Sequence, residues 1–352
     1  MRQLTRIAAT TAVIALALTG CGSDDGGSAS SDDLCDVEGD GPKIGVAYDV
    51  TGRGDKSFND SAAVGIQRAI DELGATCTEG EAQPDEGDPA REDRLRSMAE
   101  GGYSPVIGVG FAYSVAVNQV APDFPEVDFA VVDGFDPDDE PNDNVAYLGF
   151  AEQEGSFLVG VAAALKTKAD HVGFVGGVNS DLIKKFQAGY VAGVEEVNPD
   201  IEVDVTYIEE TNLAGFNDPA GAKAAASAMY EGGADIVYHA AGLSGDGVFD
   251  AAVDAGEGKW AIGVDSDQYL TASADQKEHI LTSMLKRVDT AVFDEVQSVA
   301  DGKPLVSYQV YDLKSDGIGY STSGGFIDDI TTDIDGYADQ IKSGEIKVPA
   351  TP

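Results

Sequence analysis

The run Ile44-Gly45-Val46-Ala47-Tyr48-Asp49 is followed by Gly52-Arg53-Gly54-Asp55-Lys56-Ser57-Phe58-Asn59-Asp60 and then by a helical pattern from Ala62. An apolar strand, a glycine-rich turn and a helix in that order put the turn at the carboxyl end of a parallel strand, where open α/β sheets bind ligands. Ser57 or Asn59 is placed to cap the helix, leaving amide groups facing the crevice. Phe58 is out of character in a polar turn, and its ring either folds into the core or lies flat against a ligand. The turn is not a phosphate loop, because Asp55 separates Gly54 from Lys56 and a carboxylate there repels phosphate. A neutral ligand with an aromatic face and several hydroxyl or amide groups suits it better.

Outward from this turn, short apolar strands alternate with helical patterns. Strands are expected at 43–49, 75–83, 105–110, 128–133 and 145–149, with helices at 59–73, 89–100, 113–120 and 152–167. A second series has strands at 171–175, 202–208, 235–239 and 259–264, and helices at 182–197, 220–230 and 247–255. This alternation predicts an α/β chain of two doubly wound parallel-sheet lobes, with a boundary near Phe150-Ala151. A strand at 280–285 and a helix at 287–300 are expected to return to the first lobe, and a crossing near Pro304 would put a strand at 307–312 in the second. The expected N-terminal lobe is then 42–150 plus about 266–303, and the C-terminal lobe 151–265 plus about 304–352. They are joined by a multi-strand hinge, with the ligand crevice between strand ends.

Several strands stop at residues that suit such a crevice. Phe129-Ala130-Val131-Val132 ends at Asp133 and Trp260-Ala261-Ile262-Gly263-Val264 ends at Asp265, although an Asp that merely opens a turn is the common alternative. Gly242 follows Val237-Tyr238-His239-Ala240-Ala241, where a side chain would obstruct a ligand approaching the backbone. Lys286 ends Leu281-Thr282-Ser283-Met284-Leu285, either as the charge partner of those acids or as an exposed Lys opening a helix. Leu213-Ala214-Gly215-Phe216-Asn217-Asp218-Pro219 repeats the Phe-Asn-Asp of residues 58–60, again between a strand and a helix. One ring from each lobe, Phe58 and Phe216, would close on a flat heterocycle from both sides.

The ends of the chain speak to location. Residues 1–20 read as an export signal, with Arg2 and Arg6, an apolar stretch from Ile7 to Leu18, and small residues before Cys21. Leu18-Thr19-Gly20-Cys21 resembles a bacterial lipoprotein cleavage box, in which the Cys21 sulfur receives a diacylglyceryl group; the alternative is an ordinary signal with a chance Cys. Two acyl chains suffice for stable anchoring. Residues 21–41 then form the lipidated Cys and a tether whose Gly, Ser and Asp content predicts disorder. Asp36-Val37-Glu38-Gly39-Asp40-Gly41 is no calcium loop, since Pro42 breaks it and Ala47 stands where the closing Glu belongs. Of the three Cys, Cys35 and Cys77 remain; an exported location favours a disulfide, and two free buried thiols are the alternative.

The chain carries 22 basic and 63 acidic residues, a net charge of −41 that becomes −43 once Arg2 and Arg6 leave with the signal. Such a surface excludes nucleic acid as a partner and resists anionic membranes.

The motifs Gly54-Asp55-Lys56-Ser57-Phe58-Asn59, Gly108-Val109-Gly110-Phe111, Gly215-Phe216-Asn217-Asp218-Pro219, Ile262-Gly263-Val264-Asp265-Ser266-Asp267-Gln268 and Thr282-Ser283-Met284-Leu285-Lys286-Arg287 occur in that order across the folded chain. Together they resemble the basic membrane protein (BMP) lipoproteins, PnrA-like purine nucleoside-binding components of ABC importers. That resemblance implies a type I periplasmic-binding-protein fold closing on a nucleoside and delivering it to a permease. It implies that Phe58 and Phe216 sandwich the base while Asp49, Asn59 and Asp133 bond its edge. Asp265, Lys286 and the backbone at Gly242 would hold the ribose hydroxyls and ring oxygen. Tyr48-Asp49-Val50-Thr51 and Ala240-Ala241-Gly242-Leu243 depart from the commoner spellings of the family. No cofactor or metal is implied. The competing class is a nucleoside hydrolase using the crevice carboxylates, against which stand the lack of metal-ligand spacing among His171, His239 and His279 and the lack of a Gly-x-Ser-x-Gly elbow. A nutrient sensor or adhesin with the same fold is the third possibility.

Overall fold

The computed structural model describes residues 34–83, 85–137 and 141–352. The expected export signal, Cys21 and most of the tether lie outside those residues. Twelve strands follow one another among the described residues: β1 (Lys43–Tyr48), β2 (Thr76–Glu81), β3 (Val106–Val109), β4 (Phe129–Val132), β5 (Val145–Phe150), β6 (His171–Val178), β7 (Glu202–Glu209), β8 (Ile236–Ala240), β9 (Trp260–Asp265), β10 (Ile280–Lys286), β11 (Ser307–Tyr311) and β12 (Ile318–Tyr320). They form two six-stranded sheets, ordered β11-β5-β4-β3-β1-β2 and β12-β10-β9-β8-β6-β7. Every pairing is parallel except β10 with β12. This is the two-lobed α/β architecture that the sequence predicts.

The local sequence explains the elements. Strands β3 and β4 are buried along their whole length because helices cover both sheet faces, so they read as continuous apolar runs rather than alternating ones. Edge strand β7 has no fully buried residue, and Glu202 and Glu209 at its two ends face solvent. Helix Asp181–Val197 starts where Ser180 Oγ accepts the Ile183 N–H, and helix Pro219–Gly232 where Asp218 accepts the Gly221 N–H with Pro in the first turn. Helix Phe58–Leu73 stops at Gly74, whose φ of 64° is the left-handed cap conformation.

Two strands lie on the opposite side from the one expected. β10 pairs with β9 in the second sheet rather than returning to the first lobe, and β11 pairs with β5 in the first sheet rather than joining the second. The polar stretch after Asp265, read as a crossing, instead folds into the short helices Gln268–Thr271 and Ala274–Lys277 and stays on the second lobe, tied there by Gln268 Oε1 accepting from Val264 N and Gln276 Nε2 donating to Asp250. The chain finishes β10 before it crosses at Arg287. Helix Val288–Ala300 then packs so closely on Phe58–Leu73 that a Cβ on Gly65 would come within 2.5 Å of the Asp289 carbonyl oxygen. An apolar run announces burial but not which sheet buries it.

The crossings at Ala151, Arg287 and between Tyr311 and Ile318 run side by side. Ala151 N–H donates to Tyr311 O at 2.9 Å and Arg287 N–H to Gly317 O at 2.9 Å, so the three connections form one hydrogen-bonded ribbon between the lobes.

Cys35 and Cys77 are joined by a disulfide that closes a 42-residue separation and fastens the segment before β1 to strand β2. Replacing both with Ser should lower the unfolding free energy by about 2–4 kcal/mol, read from urea denaturation, because the loop then gains freedom in the unfolded chain. An unchanged midpoint would show that the unfolded chain is not constrained by this link.

Candidate functional site

The crevice between the lobes holds about 560 Å³ of atom-free space counted to its mouth. Asp49, Phe58, Asn59, Asp133, Phe216, Gly242, Asp265 and Lys286 all line it. Each arrives from the carboxyl end of a strand or the turn beyond it, which is why residues so far apart in sequence converge.

The turn after β1 is built differently from the expectation that Ser57 or Asn59 caps the helix and leaves amides free. Ser57 makes no capping hydrogen bond. The Asp55 carboxylate accepts the N–H groups of Ser57, Asn59 and Asp60 at 3.0, 2.8 and 3.1 Å, and also the Asn59 side-chain amide at 3.1 Å. The helix amides are therefore occupied by an internal anion, so this turn has no spare site for a phosphate. Asn59 in turn accepts from Asp49 N–H and donates to Thr51 Oγ1, locking strand end to helix start. Ser57 faces the other lobe instead, donating to Val264 O at 3.0 Å and to the Asp265 carboxylate at 3.2 Å.

The opposite part of the crevice is organised by Lys286. Its ammonium is 2.6 Å from Asp133 Oδ2 and 3.9 Å from Asp265 Oδ1. It also lies over three rings, Phe58 at 4.8 Å, Phe150 at 5.1 Å and Phe186 at 5.5 Å from their centres. Burial opposes its charge, but Asp133, Asp265 and Glu152 outweigh burial and hold its pKa above the ordinary lysine value. Asp133 and Asp265 both sit at positive φ, 59° and 64°, a left-handed conformation that non-glycine residues rarely adopt and that turns each carboxylate off its strand. Asp133 Oδ1 and Asp265 Oδ1 are buried and make no hydrogen bond within the protein.

Phe216 lies against the second lobe's backbone. A Cβ on Gly177 would come within 2.5 Å of its ring, so glycine is needed there to let the ring lie flat. Gly242, at a φ of 54°, stands beside it. Sequence reasoning missed Asp55 as the capping anion, although an Asp just ahead of a helix start is a legible signal. It also missed Leu182, Ile183 and Phe186, which line the crevice from one face of helix Asp181–Val197 and look like ordinary core positions in sequence. None of the three His lines the crevice among the described residues. His171 stands instead at the start of β6, where strand register brings it beside Glu202 and Asp204, and it hydrogen bonds Asp204 at 2.9 Å.

Residues 42–352 match the family model described as ABC transporter substrate-binding protein PnrA-like. The chain belongs to that family. Among relatives of the PnrA-like chain, the CD4+ T-cell-stimulating antigen of Listeria innocua is 35% identical over 370 residues, covering 100% of both chains. The ABC transporter nucleoside-binding protein BmpA of Lactococcus lactis is 34% identical over 355 residues, covering 95% of both. A solved solute-binding protein of an ABC transporter system from Aeropyrum pernix superposes with a TM-score of 0.75 at 29% identity, covering 88% of this chain and 94% of that one. The PnrA-like chain is thus a type I periplasmic-binding-protein fold that binds solute for an ABC importer on the outer side of the membrane, and not a catalyst. No helix among the described residues is long and apolar enough to cross a membrane.

Three crevice carboxyls have pKa values near 6. Burial raises Asp49 to about 6 against the Val50 N–H and Arg91, Asp55 to about 6 against the Asn59 and Ser57 N–H groups, and Asp265 to about 6 against Lys286. Raised carboxyls bind protons more tightly in the folded chain, so their contribution to stability is fully present below about pH 4 and is lost as pH rises through about 6. Asp49→Asn should flatten part of this fall and raise neutral-pH stability of the ligand-free protein by on the order of 1–3 kcal/mol. Urea unfolding between about pH 4 and 7 reads the slope, and an unaltered slope would refute the assignment.

Proposed function

We propose that this chain is a lipid-anchored receptor that takes a purine nucleoside between its lobes and hands it to the permease of an ABC importer. The observation that carries this reading is the pairing of Phe58 from one lobe and Phe216 from the other in a crevice whose charged groups are four carboxylates, Asp49, Asp55, Asp133 and Asp265, and the single ammonium of Lys286. Two aromatic rings ask for a flat heterocycle, each stack contributing ~1–3 kcal/mol. Carboxylates with spare oxygens ask for hydroxyl donors, and an excess of acids over the one Lys disfavours phosphorylated ligands.

In this reading Asp49 and Asn59 meet the base edge, and Asp265, Lys286 and the Gly242 backbone hold the ribose. Asp133 stands between them, one oxygen on Lys286 and the other available to the ligand. Ser57 and Lys56 already reach across to Val264 and Asp246, and a nucleoside touching both lobes adds contacts found only in the closed form, shifting the population towards it. The Lactococcus lactis relative is named as a nucleoside-binding protein, which supports this ligand class. Anchoring through a diacylated Cys21 would keep the receptor beside its permease.

Denaturing freshly purified protein and identifying the released molecule by mass spectrometry tests the ligand directly. Phe58→Ala and Phe216→Ala should each weaken inosine or adenosine binding by about 10- to 100-fold in calorimetry. Removing the sugar hydroxyl with a 2′-deoxynucleoside should weaken it further by leaving a buried acceptor unpaired. Unchanged affinity in both Phe variants would sink the reading.

A further inference from the structure

Beside the crevice, and sharing Val50 with it, lies a second cavity with about 890 Å³ of atom-free space counted to its mouth. Its walls come from both lobes, with Glu86 and Arg91 from the first and Thr211, Asn212 and Asn217 from the second. Val50 follows Asp49, and Asn217 follows Phe216. None of Asp133, Asp265 and Lys286 lines it. The cavity therefore adjoins the end of the crevice marked by Asp49 and the Phe216 ring, away from the ammonium and its acids.

Its chemistry differs from that of the crevice. No aromatic ring lines it, and its polar groups are amides, a hydroxyl, a guanidinium and the carboxylates of Asp85 and Glu86. Arg91 is 5% exposed; its Nη1 donates to Asp88 Oδ1 at 3.4 Å, whereas its Nε makes no hydrogen bond and lies 3.8 Å from Glu86 Oε1. A buried N–H without a partner is costly, so a group that accepts from it is favoured. Asp85 and Glu86 oppose a second anion. The cavity suits a short, neutral chain bearing an oxygen acceptor.

We propose that this cavity is a subsite for a substituent on the outer edge of the base, so that the ligands of this protein include purine nucleosides carrying a neutral hydroxyalkyl chain on the exocyclic nitrogen. The inference rests on the nucleoside reading above. A base stacked between Phe58 and Phe216 with its edge towards Asp49 directs such a chain past Val50 into the cavity. The nitrogen keeps one N–H for the crevice, and the chain oxygen accepts from the cavity wall. An adjoining cavity at that end, against the ion-paired Lys286, Asp133 and Asp265 at the other, makes the site tolerant of changes to the base and strict about the sugar.

Calorimetry with adenosine, inosine, N6-(2-hydroxyethyl)adenosine and N6-(carboxymethyl)adenosine on the complete folded chain tests this. The hydroxyethyl derivative should bind within about threefold of adenosine, and the carboxymethyl derivative at least about tenfold more weakly. Thr211→Trp, at an exposed position on the cavity wall, should leave adenosine within about twofold and weaken the hydroxyethyl derivative at least about tenfold. The subsite is refuted if adenosine or inosine binds while the hydroxyethyl derivative is lost, or if Thr211→Trp weakens both ligands alike. If neither parent nucleoside binds, the nucleoside reading itself fails and the subsite falls with it.

Discussion

The ion pair between Lys286 and Asp133 is the contact on which the rest of the molecule depends. Lys286 is the last residue of β10 in one lobe, and Asp133 stands just past β4 in the other, with side chains 2% and 5% exposed. Removing one partner of such a buried pair leaves an uncompensated charge and costs about 3–5 kcal/mol. The pair does not make the fold more stable than a well-packed apolar contact would. Its effect is positional, because it sits one residue before the Arg287 crossing and sets how the strand ends of the two sheets face each other.

The acids of the crevice follow from the same arrangement. The Lys286 ammonium serves Asp133 and Asp265, and with the more distant Glu152, itself paired with Lys185, they keep it charged despite burial. Burial pushes Asp49, Asp55 and Asp265 alike up to about 6, opposed at Asp265 by Lys286, at Asp49 by the Val50 N–H and at Asp55 by the helix amides it accepts from. Under the proposed function, an uncharged, planar solute bearing hydroxyl donors would match this surplus of buried carboxylate and these apolar walls.

Much of this was legible in sequence because two simple periodicities carry it. Alternating strand and helix patterns located the two sheets, and the rule that open sheets bind ligands at strand ends drew Asp133, Gly242, Asp265 and Lys286 to one place, while Asp49 entered only through the family resemblance. The sheet membership of β10 and β11 was not legible, since Ile280–Lys286 and Ser307–Tyr311 have the same local pattern whichever lobe buries them. That choice is made by partners more than a hundred residues away for β11, and by where a polar stretch happens to coil for β10. Asp55 was misjudged for a related reason, because reading a carboxylate against an imagined outside ligand overlooked the backbone donors beside it. Ile183 and Phe186 gave no sign of their place, since a ring on an amphipathic helix looks the same facing a core or a crevice.

The Cys35–Cys77 link has a mechanical consequence. Strand β2 is the outermost member of its sheet, so any pull on the chain ahead of residue 34 enters the body at that rim and is carried by a covalent bond into one lobe alone. The load path bypasses the three-stranded ribbon between the lobes. A leash tugging on this molecule would swing it bodily without prying it open.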